Sequence, residues 1–230
     1  MDKVKILKLR SYKITIAIAL ITSIVTISQF VNPQVLSILR RNPESLLSGQ
    51  WWRIITPLLV HSDGWMQFAI NIIGIISFGF IGEQLFGGYK LLLIYLAGGL
   101  IGEIAGYIGW DAFGAGSSIG WCGILGGIIF LLFKYKNIII PKMVYIIALY
   151  YVAGLIINVI KNYTVGTIFF VIVIVLQTYT LRQKNNCTLA DNVLATYVIL
   201  CGILLLFLHD IHGVAIFGGF LTAFIITKFK

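Results

Sequence analysis

Long apolar runs recur along the chain, and short polar or charged segments separate them. The runs are about 17–20 residues long, which is the length that an α-helix needs to cross the hydrocarbon core of a bilayer. The pattern therefore predicts an all-α, polytopic transmembrane helical bundle with about eight spans. The fifth and sixth spans are divided at NVIKNYT. The predicted spans are 14–31, 66–86, 91–108, 117–133, 143–160, 164–180, 192–208 and 213–227.

The segment 32–65 has a different pattern, because it mixes charge, proline and short apolar pieces. It predicts a structured outer loop with short interfacial helical turns, and Trp51 and Trp52 suit the headgroup boundary. The first apolar run is long for a signal-peptide core and lacks a small-x-small cleavage site, so we expect a retained helix after a cytoplasmic segment 1–13. Residues 1–230 are expected to form one membrane domain.

Composition supports the membrane assignment. The 230 residues are 59% hydrophobic and 11% charged, with a mean hydropathy of +0.98, whereas soluble domains are about 45–50% apolar and about 25% charged. With the N-terminus inside, all but four of the 17 Lys and Arg residues fall on the inner side. This bias predicts that both termini are cytoplasmic. It also explains the net charge of +9 by contact with anionic lipid, without nucleic acid.

Polar residues that are unusual at membrane depth gather at one end of the predicted bundle. Gln67 and Asn71 lie four residues apart on one face of the second span. Ser117 and Ser118 open the fourth span within GAGSSIGWCGILGG, and HDIH, ending at His212, leads into the eighth. The three spans start on the same, outer side, so these side chains are expected at one depth, facing the interior or a water-filled cavity.

Hydroxyl, imidazole and amide groups at one depth predict a reaction site. A serine nucleophile needs a base such as histidine, and an amide can donate a hydrogen bond to an oxyanion. The alternatives are a helix cap for the serines and interhelical hydrogen bonds for the amides. The three cysteines have neither disulfide nor metal spacing, so no metal or cofactor is expected.

An ordered set of motifs resembles the rhomboid intramembrane serine proteases. The set comprises GQWWRIITPLLVH, HSDGWMQFAIN, GEQLFGGYKLLLIYLAGGL, and a glycine-x-serine motif followed by Gly123. The resemblance implies a six-helix core, here with an added helical pair. It also implies that Ser118 is the nucleophile, His212 the base, and Asn71 with Gln67 the oxyanion donors. Packing, rather than a carboxylate, is then expected to aim the imidazole.

The last span allows two registers against the family pattern. In HGVAIFGG, His212 is followed by small residues three and seven positions later, Ala215 and Gly219. In AIFGGFLTA, Ile216 takes the place of the histidine. We favour the first register because it supplies a base.

The resemblance implies hydrolysis of a peptide bond in or near a transmembrane segment of a protein substrate. Three departures from the family pattern favour an alternative. The family usually has histidine where this chain has Gln67, glycine where it has Ile119, and an aromatic residue where it has Cys122. The alternative is a rhomboid-like pseudoprotease that binds transmembrane segments without cutting them. A small transporter is a second alternative, but no repeat symmetry is visible. Lysine-, isoleucine- and asparagine-rich usage suggests a bacterial plasma membrane.

Overall fold

A computed structural model of the chain describes residues 12–135, 138, 140–182 and 187–228, without the side chains of 187 and 188. Most of the predicted segment 1–13 and the side chain of Cys187 lie outside the described residues. The regular elements within these ranges are helical. They are α1 (Lys13–Val31), α2 (Gln34–Leu39), α3 (Pro43–Leu47), α4 (Gly64–Phe86), α5 (Gly88–Ala105), α6 (Ser118–Lys134), α7 (Lys142–Ile160), α8 (Tyr163–Arg182), α9 (Cys187–Phe207) and α10 (Ile211–Lys228).

The eight predicted spans correspond to α1 and α4–α10. Seven of these helices are long and apolar enough to cross a membrane, with α5 continuing through a π-helical turn at Gly106–Trp110. The helix α6 is apolar but has 17 residues. At 1.5 Å per residue it is about 25 Å long, shorter than a bilayer core of about 30 Å. The architecture is thus a polytopic helical bundle with one short span.

The helix α6 is the centre of the bundle. Every residue from 119 to 132 is buried, so neighbouring helices enclose it on all sides. Close approach is possible because glycines meet: a Cβ built at Gly219 of α10 would overlap the Gly123 backbone, and one at Gly98 of α5 would do the same. Small residues at such crossings let helix backbones pack in van der Waals contact.

The segment between α1 and α4 is folded into short elements. After α2 and α3, two 3₁₀ helices follow at Trp51–Ile54 and Thr56–Leu59. Buried Arg53 of the first 3₁₀ helix ties that helix to the end of α2, because its Nη1 donates to the carbonyls of Ser37 (3.0 Å) and Arg40 (2.6 Å). Buried Arg41 ties the segment to α5 through Glu103 at 2.9 Å, and it also pairs with Asp111.

Glu83 near the end of α4 joins that helix to the start of α1. Its carboxylate accepts hydrogen bonds from the backbone N–H of Ile14 (3.1 Å) and Thr15 (2.8 Å) and from the Thr15 hydroxyl (2.7 Å). The first N–H groups of a helix have no partner within the helix. A side chain distant in sequence therefore caps α1.

The last helices surround the core unequally. The helix α7 reaches α4, since the Tyr151 hydroxyl donates to the Ile70 carbonyl at 2.7 Å. The helix α9 packs between α6, α7 and α10. By contrast, α8 buries Val173 and Thr180, while most of its large apolar side chains are exposed. An exposed apolar helix of this kind is suited to lipid.

Candidate functional site

The structure brings Ser118 and His212 together. Ser118 is the first residue of α6 and His212 the second residue of α10, 94 positions later in the chain. The His212 Nε2 lies 2.8 Å from the Ser118 hydroxyl oxygen. This is a normal hydrogen-bond distance, so a base is in contact with a candidate nucleophile.

A carboxylate continues the chain of hydrogen bonds beyond His212. The Oδ1 of Asp210 lies 2.6 Å from the His212 Nδ1 and accepts the backbone N–H of the same residue at 2.9 Å. The structure thus places a carboxylate beside the imidazole, where packing alone was expected. Asp210 belongs to the HDIH segment before the last span, and the signal for it is that an acidic residue just before a helix is a typical N-cap.

Asn71 faces the same place from α4. Its Oδ1 accepts from the Trp121 Nε1 at 2.7 Å. Because an indole N–H is always a donor, the amide oxygen must point toward Trp121, and the Nδ2 group must point away from it. A Cβ built at Gly116 would lie 3.6 Å from that Nδ2, so the amino group faces the backbone just before the serines.

Gln67 lies one turn before Asn71, but both ends of its amide are engaged. Its Nε2 donates to the Ala115 carbonyl at 3.0 Å, and its Oε1 accepts the Asp63 N–H at 2.9 Å. The side chain thus links the start of α4 to the irregular backbone segment that leads into α6. One Nε2 proton is left for another acceptor, since an amide group has two.

Ser117 is adjacent to Ser118 but belongs to a different network. It stands at the N-cap position of α6 without capping the helix through its side chain. Its hydroxyl lies 3.3 Å from the Nε2 of buried His61, whose Nδ1 lies 2.9 Å from the Thr26 hydroxyl. Burial lowers the pKa of His61 from 6.5 to about 4. Ser117 and His61 are thus parts of a closed, neutral structural contact.

A cavity of about 970 Å³ opens onto Ser118 and His212. Its walls come from α4, α7, the start of α10 and the backbone before α6. Asn71, Gln67 and Asp210 also line it, so these side chains share one space with Ser118 and His212, whereas Ser117 lies outside that space. Within the described ranges, no group of three or more His, Cys, Asp and Glu side chains could hold a metal ion.

The two registers of the last span have different surroundings. Ile216, one turn beyond His212, is fully buried, and its carbonyl packs against Gly126 of α6. His212 is the residue that reaches Ser118. The geometry therefore supports the register in which Ala215 and Gly219 follow His212 at the helix crossing.

The fold and the site define a multi-pass helical membrane protein with a serine–histidine pair in a cavity between its helices. Residues 48–168, more than half of the chain, match the family described as Rhomboid domain. The chain belongs to the rhomboid family.

Three relatives show the same likeness over shorter stretches. Over 86 residues the chain is 35% identical to rhomboid protease GluP of Bacillus subtilis, covering 37% of this chain and 17% of that protein. Over 61 residues it is 38% identical to YdcA of the same bacterium, provisionally named a rhomboid protease, covering 26% and 30%. Over 63 residues it is 32% identical to RHOMBOID-like protein 9, chloroplastic, of Arabidopsis thaliana, covering 27% and 14%. The matched stretch thus spans less than a third of each relative.

Proposed function

We propose that this chain is an intramembrane serine endopeptidase that hydrolyses peptide bonds in or near transmembrane segments of protein substrates. The observation that carries the proposal is the 2.8 Å contact between the Ser118 hydroxyl and the His212 Nε2 at the floor of an open cavity. The protease names of GluP and YdcA support the same reaction class.

The contact suits acyl transfer. The Ser118 oxygen attacks the substrate carbonyl carbon while its proton passes to the His212 Nε2. His212 then gives that proton to the departing amine, and the substrate acyl group stays on Ser118 as an ester. A water molecule, deprotonated by His212, hydrolyses the ester and restores both residues.

Donors for the negative oxygen lie around Ser118. The N–H groups of Ser118 and Ile119 open α6. The first N–H groups of a helix lack partners within it, and the helix dipole favours negative charge there. The Asn71 amino group faces Gly116 from the opposite wall, and Gln67 Nε2 lies beside it. Asn71 is the stronger candidate donor, because Gln67 already donates to Ala115.

The short α6 explains how water reaches a site in a membrane. A helix of about 25 Å is shorter than the hydrocarbon core, so one of its ends lies below a membrane surface. We place Ser118 at that end because the cavity opens there. The cavity above Ser118 provides the aqueous space. We place that side outside the cell, with residues 1–230 forming one domain in a bacterial plasma membrane, both termini cytoplasmic and the 32–65 loop outside.

The direct test is labelling by a fluorescent fluorophosphonate combined with cleavage of a transmembrane reporter. The parent protein should label and cleave, and Ser118→Ala should do neither. Ser117→Ala is the matched control: it removes a hydroxyl one residue away and should keep most of the activity. Full cleavage by Ser118→Ala would refute the proposal, and loss in Ser117→Ala alone would move the nucleophile by one position.

A pseudoprotease that binds transmembrane segments is the second candidate. The observation in its favour is Gln67, whose amide is engaged at both ends where the family usually has histidine. This candidate predicts co-purification of a transmembrane segment with the parent and with Ser118→Ala alike, without fluorophosphonate labelling.

A further inference from the structure

A short turn between α9 and α10 places a carboxylate behind His212. Two backbone hydrogen bonds close the C-terminus of α9. They run from the His209 N–H to the Leu206 carbonyl (3.1 Å) and from the Asp210 N–H to the Leu205 carbonyl (2.9 Å). His209 has a left-handed backbone with φ of 54°. This Schellman ending usually has glycine at that position, so the turn is held in a conformation that a histidine adopts at some cost.

The turn leaves Asp210 as the N-cap of α10. Its Oδ1 accepts the His212 backbone N–H at 2.9 Å, which fixes the carboxylate beside the first turn of the helix. The same oxygen lies 2.6 Å from the His212 Nδ1, and both side chains are 16% exposed. The His209 ring packs edge-on against Trp110 at 5.2 Å, which supports the turn from α5.

This contact fixes the protonation of the imidazole. A carboxylate accepts hydrogen bonds, so Nδ1 must carry the proton. In the neutral ring Nε2 is then unprotonated and faces the Ser118 hydroxyl, as a general base requires. Although burial alone would raise the pKa of Asp210, the charge of His212 and its two hydrogen bonds bring that pKa below its usual value. Asp210 is thus a carboxylate when His212 takes a proton.

We infer that Asp210 is a positioning residue for His212, so that Asp210, His212 and Ser118 act as a three-residue chain rather than as a serine–histidine pair. This inference rests on the proposed function. During attack the Ser118 proton moves to the His212 Nε2, the Nδ1 proton stays on nitrogen, and Asp210 stays ionised and stabilises the imidazolium.

The test must separate this role from helix capping. Asp210→Ser keeps an N-cap acceptor, because serine caps helices about as well as aspartate, but its side chain is too short to reach Nδ1. Asp210→Asn keeps the Oδ1 acceptor and removes the charge. Glu44→Ser is the control, since Glu44 is an exposed acidic residue in the first turn of α3 and does not line the cavity. The other charged groups that line the cavity are Arg41, Asp63, Asp111 and Lys161.

We expect Asp210→Ser to lower kcat for reporter cleavage by about 10²–10⁴-fold with KM little changed, as expected when a triad carboxylate is lost. Its thermal unfolding midpoint should stay close to that of the parent. Glu44→Ser should cleave like the parent. In Asp210→Asn, the acidic limb of the pH–rate profile should move to lower pH, because a negative charge next to the imidazolium is gone. Cleavage by Asp210→Ser close to the parent rate, or an unmoved limb in Asp210→Asn, would overturn the inference.

Proton NMR of nitrogen-labelled histidines provides a measurement that does not need activity. The chain has three histidines, so the His212 signal is assigned in a background with His61 and His209 replaced by Asn. A downfield Nδ1 proton in that protein, lost in Asp210→Ser, is the expected signature of the carboxylate contact. If the signature is present but the parent neither cleaves nor labels, the positioning contact stands and the proposed function fails. If no such proton exists, the inference fails whatever the activity.

Discussion

Ser117 and Ser118 are neighbours in the chain, yet their hydroxyls meet different histidines. Ser118 contacts His212 beside an open cavity, whereas Ser117 contacts fully buried His61. Both pairs have hydrogen-bonded geometry. What separates them is access: the first pair lines the cavity, and the second pair is closed. At the scale of single residues, solvent access therefore decides which serine is suited to chemistry.

The buried His61 should make stability depend on pH. Its pKa is lowered to about 4 in the folded protein, while the unfolded value is about 6.5. Above pH 6.5 both states are neutral and the effect is absent. As pH falls from 6.5 to 4, the unfolded state binds a proton that the folded state excludes, so stability should decrease by about 3 kcal/mol.

Thermal unfolding in detergent between pH 7.5 and 4.5 measures this decrease. The variant His61→Asn should show a smaller loss over that window than the parent. The control His209→Asn replaces another loop histidine by a residue that tolerates a left-handed backbone, and it should keep the parent's full loss. Equal pH dependence in all three proteins would contradict the assignment to His61.

Asn71 should matter through its amino group. Removing one oxyanion donor typically lowers kcat by about 10²–10³-fold, or about 2.7–4 kcal/mol, and we expect Asn71→Ala to fall in this range in the reporter assay. The variant should still fold and should label slowly with the fluorophosphonate. Gln67→Ala should lose less, because that amide already donates to Ala115.

Asn158 provides the comparison for Asn71. It lines the same cavity from α7, and Asn158→Ala should change kcat by about two-fold or less, as for substitutions away from a site. Equal losses in Asn71→Ala and Asn158→Ala would assign the effect to cavity polarity in general rather than to an oxyanion donor.

At the scale of elements, the contact between α6 and α10 sets the position of His212. The crossing depends on Gly219, where a Cβ would overlap the Gly123 backbone. Backbone cannot yield as a flexible side chain can, so Gly219→Ala should force the helices apart and destabilise the fold by about 1–3 kcal/mol. Cleavage should decrease with it, because the distance from His212 to Ser118 grows.

Gly154 of α7 is the matched position, since a Cβ there would meet nothing within 4 Å. Gly154→Ala should leave stability unchanged or raise it by up to about 1 kcal/mol, because alanine has less freedom than glycine in the unfolded chain. Denaturant unfolding midpoints of both variants check the pair. A larger loss in Gly154→Ala than in Gly219→Ala would contradict the packing argument.

The helices that span the membrane could be predicted from sequence because each needs one long apolar run, and the structure confirms a polytopic helical bundle. The short helices α2 and α3 could not be bounded, since five or six residues carry no clear periodicity. The contact between Asp210 and His212 was missed for another reason. It depends on the left-handed His209, and single-sequence patterns rarely indicate that conformation at a non-glycine residue.

Other parts of the site needed information from distant residues. Nothing local indicates that Asn71 meets Trp121, fifty positions later, or that both ends of Gln67 are engaged. The pairing of Ser118 with His212 was predicted through the family resemblance, because spacing alone does not show which residues meet across a bundle.

At the scale of the whole molecule, the distribution of basic residues predicts orientation. Arg40, Arg41, Arg53 and Lys161 are the four that fall on the Ser118 side. A reporter fused after Lys230 should therefore be cytoplasmic, on the same side as one fused before Met1. A reporter inserted after Gly49, in the loop before α4, should lie on the opposite side. Termini on opposite sides would mean that a span is miscounted, most simply around NVIKNYT.

The cap that Glu83 provides for α1 has a consequence for biosynthesis. The N–H groups of Ile14 and Thr15 leave the ribosome 68 or more residues before their acceptor does. At about 5–20 residues per second, translation reaches Glu83 about 3–14 s after Thr15. During that interval the N–H groups of the newly made α1 must bond to water or lipid headgroups. The native contact of α1 with α4 can form only after the end of α4 has emerged.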